Sequence, residues 1–180
     1  ESWEVSDDTL TYTFKLKSGA TFQDGSPVEA KDVVYSVNRL LTLNEGPAYL
    51  FEGVLGPNSV KAIDSSTVEF KLSKVYTPFL TNTPILFVIN SDVANANKTD
   101  SDPWAQDYIA NNSIGAGAYK LDSWDRGATM TMKAYEGYHL GWSDQPVLEV
   151  RFIVTNEEAT VKALAASGEL SMSSDAQAQE

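Results

Sequence analysis

The sequence predicts a mixed α/β fold, and three stretches carry that prediction. Residues 9 to 17 alternate apolar and polar with period two, residues 30 to 41 repeat apolar positions with period 3.6, and residues 148 to 168 run from an apolar strand into a helical pattern. Strand followed by helix is the alternation of an α/β chain. At 180 residues, 42% hydrophobic, the chain has a globular composition. A chain of this size buries about 70% of the surface its unfolded form exposes, so a core needs no covalent staples.

The elements follow in order. Leu10, Tyr12, Phe14 and Leu16 share one face of the first strand, with Thr11, Thr13, Lys15 and Lys17 on the other. After the turn Gln23-Asp24-Gly25-Ser26-Pro27, the residues Ala30, Val33, Val34, Val37, Leu40 and Leu41 form an amphipathic stripe. Ser26 with Glu29, and Pro27 at the first helical position, make a capping-box signature; Glu29 with Asp32 is a second candidate start. The helix is expected to end before Gly46-Pro47. Ser59–Ile63 and Thr67–Leu72 flank Asp64-Ser65-Ser66 and read as a hairpin.

Beyond it, a short helix is expected near Phe79 and a strand near Phe87. Asn90–Asp102 is rich in Asn, Asp, Ser and Thr and reads as a flexible surface loop, after which Pro103-Trp104 opens a short helix toward Ala110. Tyr119–Ser123 and Thr129–Ala134 read as strands joined by Trp124-Asp125-Arg126-Gly127. Leu148–Val154 is more apolar, as strands inside a sheet are. Asn156 is placed to cap a helix with Glu157 and Glu158 in its first turn, Val161, Leu164 and Ala165 inward, and Gly168 at its end. Residues 174–180 read as a disordered tail.

Charge excludes several functions. Lys plus Arg number 13 against 25 Asp plus Glu, a net of −12, and that field repels nucleic acid and anionic lipid. The longest uncharged run, Val75–Ser91, carries Pro78 and Pro84 and is shorter than the ~20 apolar residues a membrane span needs. With no Met at its start and no signal peptide before Glu1, the chain reads as an excised piece.

Chemistry is sparse. The absence of cysteine removes disulfides, thiolate nucleophiles and Cys-containing zinc sites, and the lone His139 leaves little to hold a transition metal. Gly115-Ala116-Gly117 lacks the third glycine of a nucleotide fingerprint and runs into a strand, not a helix. Asp100-Ser101-Asp102 lacks the glycine and the terminal Glu of a calcium loop. His139 has no Gly-x-Ser-x-Gly elbow to serve. Asn97-Lys98-Thr99 and Asn111-Asn112-Ser113 are glycosylation sequons by pattern alone. Trp3, Trp104, Trp124 and Trp142 supply aromatic area of the kind that cores and contact surfaces both use. No catalytic residue, metal site or cofactor is assigned.

Ordered motifs then carry a resemblance. Trp3-Glu4-Val5-Ser6-Asp7-Asp8, Leu10-Thr11-Tyr12-Thr13-Phe14-Lys15-Leu16, Phe22-Gln23-Asp24-Gly25-Ser26-Pro27-Val28 and Ala30-Lys31-Asp32-Val33-Val34-Tyr35-Ser36 come first. Thr67–Leu72, the Gly115-x-Gly117-x-Tyr119 turn, Tyr138, Pro146, Ala163-Leu164 and Gly168-Glu169-Leu170 follow. The run resembles family 5 extracellular solute-binding proteins of ABC importers, the group that binds dipeptides, oligopeptides and nickel. It departs from the family pattern at Ala116, Ala118, Glu29 and Ser171.

The resemblance implies a periplasmic-binding-protein-like (type II) lobe with mixed sheets and flanking helices, as a partial chain lacking the second lobe. Residues 1–117 are then an outer subdomain of the first lobe, and 118–173 part of its hinge-bearing sheet subdomain. It implies capture of a peptide or other small solute, a cognate ABC permease as membrane partner, no nucleic acid, no enzyme activity and a monomer. The expected compartment is extracytoplasmic, either periplasm or a lipoprotein on a Gram-positive surface. Peptides are the implied cargo; nickel is set back by the single His, and sugars and opines stay open. The family's acidic residue for the ligand amino terminus falls outside these residues. Trp104, Gly115, Gly117 and Tyr119 are the candidate ligand contacts. A ligand-sensing domain fused to a regulator and a secreted hydrolase built around His139 are the competing readings.

Overall fold

The computed structural model describes residues 1–155 and 157–173. Asn156, expected as a helix cap, and the expected 174–180 tail lie outside the described residues. The chain forms two compact units, Glu1–Lys120 with Tyr135–Pro146, and Leu121–Ala134 with the residues from Val147 onward. Residues 135–146 belong with the first unit. Hydrogen bonds hold them there: Tyr135 N donates to Ala118 O at 2.8 Å, and Lys17 Nζ donates to His139 O at 2.9 Å.

In the first unit, β1 (Ser2–Val5) and β2 (Thr11–Lys15) pair antiparallel. The helix α1 (Ala30–Leu43) follows, then β3 (Val60–Asp64) and β4 (Thr67–Lys71). The sheet order is β1-β2-β4-β3, with every neighbouring pair antiparallel. Register sets Tyr12 opposite Phe70 and Phe14 opposite Val68, so the alternating face of β2 meets that of β4. On this face the apolar stripe of α1 packs through Ala30, Val33 and Val37, beside Val60, Val68 and Phe70. Asp64 builds the hairpin turn: its Oδ1 accepts from Ser66 N at 2.8 Å, and its Oδ2 accepts from Thr67 Oγ1 at 2.8 Å.

The start of α1 is corrected. Glu29 is its cap, in a reciprocal capping box with Asp32, and the Ser26-Pro27 start does not form. Those two residues are engaged elsewhere, since Pro27 bridges Thr21 and Ser26 Oγ donates to Asp24 Oδ1 at 2.6 Å. The helix ends on Asn44 in the left-handed region, before Gly46-Pro47 as expected.

The short helix near Phe79 is present as α2 (Phe79–Asn82), but the strand near Phe87 is not. A 3₁₀ turn at Thr83–Ile85 takes up the chain, Phe87 is 78% exposed, and only Ile89 makes a bridge, to Gly115. The expected loop over 90 to 102 instead begins with α3 (Ser91–Ala96), because Asn90 Oδ1 accepts from Asp92 N and Val93 N. The next helix, α4 (Gln106–Ile109), starts later than Pro103-Trp104, behind Ala105 in the left-handed region.

The second sheet has the order β5-β6-β7, with β5 at Tyr119–Asp125, β6 at Thr129–Ala134 and β7 at Glu149–Ile153. The apolar sequence of β7 predicted an interior strand; among the described residues it is an edge strand, and most of its side chains are exposed. Helix α5 (Glu158–Ser167) has Glu157 at its cap position and Gly168 at its end, with φ +77°.

Candidate functional site

Sequence reading nominated the turn from Gly115 to Tyr119, and one side chain that it did not single out organises that turn. Gln23 N donates to Gly115 O at 3.0 Å, and Gln23 Nε2 donates to Gly117 O at 3.1 Å and to Tyr119 O at 2.8 Å. Its Oε1 accepts a short hydrogen bond from Ser113 Oγ. Every polar atom of the Gln23 amide therefore serves the segment 113 to 119, and three nominated residues are brought together by it. Tyr119 continues into an aromatic group, its ring 5.3 Å from that of Trp142, which in turn lies 5.8 Å from Tyr138.

Next to Gln23, the turn at Asp24 is tied to α3. Asp24 Oδ1 accepts from Ser26 N at 2.9 Å, and Asn90 Nδ2 donates to Asp24 Oδ2 at 3.0 Å and to Ser26 Oγ at 2.9 Å. These bonds, led by the one from the Ser26 hydroxyl, hold the Asp24 carboxyl below its ordinary value. Asp24 is thus an anion at any pH above the carboxylate range. Its contribution to stability is complete above the unfolded value of 3.8 and is lost as pH falls through the lower folded value.

A cavity of about 140 Å³ opens here, with Phe22, Gln23, Asp24, Asn90, Tyr108 and Ser113 among its lining. Sites that enclose a small molecule occupy roughly 300–1,000 Å³. This one has room for a side chain or a terminal group. Gln23, Asn90 and Ser113 were not nominated from sequence, because each acts here through a partner far away in the chain.

The two glycines are informative for what does not surround them. Neither Gly115 nor Gly117 has a positive φ, and a Cβ on either would come no closer than 4.0 Å to its neighbours. The fold itself gives no steric reason for glycine there. Gly25 is different: its φ is +88°, and the tight turn closes through Gly25 N to Phe22 O at 2.9 Å. Forcing a β-branched side chain into that region costs roughly 1–2 kcal/mol. Gly25→Val is expected to lower the melting temperature by about 3–6 °C, and Gly25→Asn by less, measured by thermal denaturation.

Trp104 belongs to another set of contacts. Its ring lies 5.3 Å from that of Tyr35 on α1, and its carbonyl accepts from Arg39 Nε at 3.1 Å. It does not line the cavity. Asp102 accepts from Asp107 N at 3.0 Å, which makes it an anchor for α4. His139 Nδ1 is buried without a hydrogen-bond partner, so no carboxylate orients the ring as a catalytic triad requires. Burial first, and then the Lys17 charge, lowers the pKa of His139. Among the described residues no group of three or more His, Cys, Asp or Glu is placed to hold a metal ion.

Comparison with known proteins puts this geometry in a family. Residues 1–180 match the bacterial extracellular solute-binding proteins, family 5 Middle. A probable D,D-dipeptide-binding periplasmic protein of Escherichia coli, DdpA, is 37% identical over 133 residues, covering 73% of this chain and 25% of its own length. A dipeptide-binding protein of Escherichia coli is 29% identical over 180 residues, 90% of this chain and 32% of its own. The crystal structure of the ABC transporter substrate-binding protein CtaP from Listeria monocytogenes superposes with a TM-score of 0.79 at 29% identity, over 94% of this chain and 34% of that one. The chain thus spans a third or less of the two curated relatives' lengths. It belongs to family 5 of the bacterial extracellular solute-binding proteins.

Proposed function

We propose that this chain supplies part of one lobe of a two-lobed receptor that captures short peptides outside the cytoplasm and delivers them to an ABC permease. The similarity to relatives named for dipeptide binding carries the reading. Members of this family are binding proteins and not enzymes, so capture asks for no catalytic group, only contacts that exist when two lobes close on a solute. No described helix is long and apolar enough to cross a membrane. In this reading residues 1–117 are the outer subdomain and 118–173 contribute to the hinge-bearing sheet.

The Gly115 to Tyr119 turn is the surface we assign to the ligand, with Trp104 as a more distant contact. Two glycines without an internal steric role leave space for a ligand to approach the backbone closely. Gly117→Val tests this, because its φ is not positive and its Cβ has space. The melting temperature is expected to stay within about 2 °C while capture by the full-length protein falls. Unchanged capture with the same stability would remove the turn from the site.

Supplying only part of one lobe also limits what the chain does alone, because it cannot enclose a ligand. A few hydrogen bonds on an open surface, each worth about 0.5–1.5 kcal/mol net, do not offset the lost freedom of a peptide. Calorimetric titration of a mixed dipeptide and tripeptide library is expected to give heat with the full-length protein and millimolar binding or weaker with the 180-residue chain. Submicromolar binding by the chain alone would show that one lobe suffices and would overturn the two-lobe reading.

A further inference from the structure

We propose that His139 is an acid-sensitive latch, whose protonation releases residues 135–146 from the first unit and takes Trp142 away from Tyr119. The segment joins β6 to β7, two strands of the second unit, yet it folds as part of the first. Hydrogen bonds to Ala118, Thr21 and Lys17 keep it there. Tyr135 N donates to Ala118 O at 2.8 Å, Tyr135 Oη and Thr21 Oγ1 share a hydrogen bond of 2.8 Å, and Lys17 Nζ donates to His139 O at 2.9 Å. Inside the segment, Trp142 Nε1 donates to Tyr135 O at 2.9 Å and Gly141 N to Tyr138 O at 2.8 Å. The rings run in a row, His139 4.9 Å from Tyr138, Tyr138 5.8 Å from Trp142, and Trp142 5.3 Å from Tyr119. The turn that ends on Tyr119 thus rests on a file of rings that begins at His139.

The setting of the ring makes it a trigger. Nδ1 is buried and has no hydrogen-bond partner among the described residues. Solvent does not reach that atom, so further chain laid over the surface has no path to it either. A neutral imidazole can keep its one proton on Nε2 and leave Nδ1 bare, whereas an imidazolium carries a proton on both nitrogens and needs an acceptor for each. Burying that second N–H and its charge without a partner is unfavourable. Lys17 adds to the penalty, since its ammonium is anchored on the carbonyl of the same residue. Tyr138, whose ring faces His139, offers Nδ1 no hydrogen bond. No carboxylate among the described residues offsets the charge, Glu136 and Asp144 of the same segment included. Burial first and Lys17 second accordingly hold the ring below its ordinary 6.5, and a released ring returns to that value. Closure is therefore complete above 6.5 and is lost as pH falls through the lower closed value. Asp24 responds in a separate window, below 3.8.

The chain has one histidine, so its imidazole signals in a proton NMR spectrum belong to His139. They are expected to titrate below 6.5. Over the range from about pH 7.5 to about pH 5, hydrogen exchange at the Tyr138 and Gly141 amides and the Trp142 indole, corrected for the intrinsic rate, is expected to rise about tenfold. Amides of β2 and β4 are expected to keep their protection. His139→Phe retains a ring against Tyr138 and has no proton to gain, so its exchange is expected to stay flat over the same range. His139→Leu is the second variant, and circular dichroism shows which of the two is folded. Titration of His139 at 6.5 or above, the same rise in a folded variant, or an equal rise in β2 and β4 overturns the proposal. Every readout is taken without ligand, so the outcome does not depend on whether the Gly115 to Tyr119 turn contacts a solute.

Discussion

Phe79→Ala is expected to destabilise the first unit by roughly 3–5 kcal/mol, the range for deleting a fully buried phenylalanine. The ring has no exposed surface and stands where three other aromatics converge, 4.7 Å from Tyr12, 5.5 Å from Phe70 and 6.4 Å from Phe51. Tyr12 and Phe70 come from neighbouring strands and Phe51 from the 3₁₀ segment Gly46–Phe51, so one ring joins the sheet to two connections. Truncation removes the tilted and edge-on ring contacts and leaves a cavity that β2 and β4, fixed by their ladder, cannot close. Thermal melts should show a fall of roughly 10 °C or more. Phe87→Ala, at a site 78% exposed, is the control and should stay within about 0.5 kcal/mol of the unaltered chain. Equal effects at the two positions would show that Phe79 is not central to the core.

That contrast also marks where sequence reading loses its grip. Phe79 and Phe87 lie in one stretch of mixed aromatic, β-branched and proline residues with no steady period, so burial cannot be assigned to either from pattern. Where a period exists the reading holds: Tyr12 and Phe14 pair with Phe70 and Val68, and the stripe of α1 meets the same sheet. Helix α3 was missed because Asn, Asp and Ser favour loops by composition. Its start depends on the Asn90 side chain, which is bonded to Asp24 and Ser26 more than 60 residues earlier. Gln23 is illegible for the same reason, since its partners are backbone carbonyls more than 90 residues away. In β7 the apolar composition reports a strand that needs covering. It does not report by what.

Asp32→Ala should be the largest loss from any polar change, about 3 kcal/mol and a fall of roughly 10 °C in melting temperature. Asp32 is 1% exposed and accepts three hydrogen bonds, from Glu29 N at 2.8 Å, Ser91 N at 3.0 Å and Ser91 Oγ at 2.5 Å. One carboxylate therefore closes the start of α1 and fastens it to the start of α3. Alanine leaves the buried Ser91 donors without an acceptor, a larger cost than the bonds' net worth. Asp32→Asn should recover part of the loss, because its carbonyl oxygen can serve Ser91 while its NH₂ group opposes the Glu29 N–H. Ser36 reinforces the clasp one turn on, with its Oγ accepting from Ile89 N at 3.0 Å. Asn90 lies between these two anchored residues, and Asn90 in turn holds Asp24. Hydrogen exchange in Asp32→Ala should therefore rise first at Ser91, Asp92 and Val93, and next along the Asp24 turn. If exchange there stays at the level of the unaltered chain while the melting temperature falls, then Asp32 stabilises α1 alone and the turn at Asp24 is held independently of it.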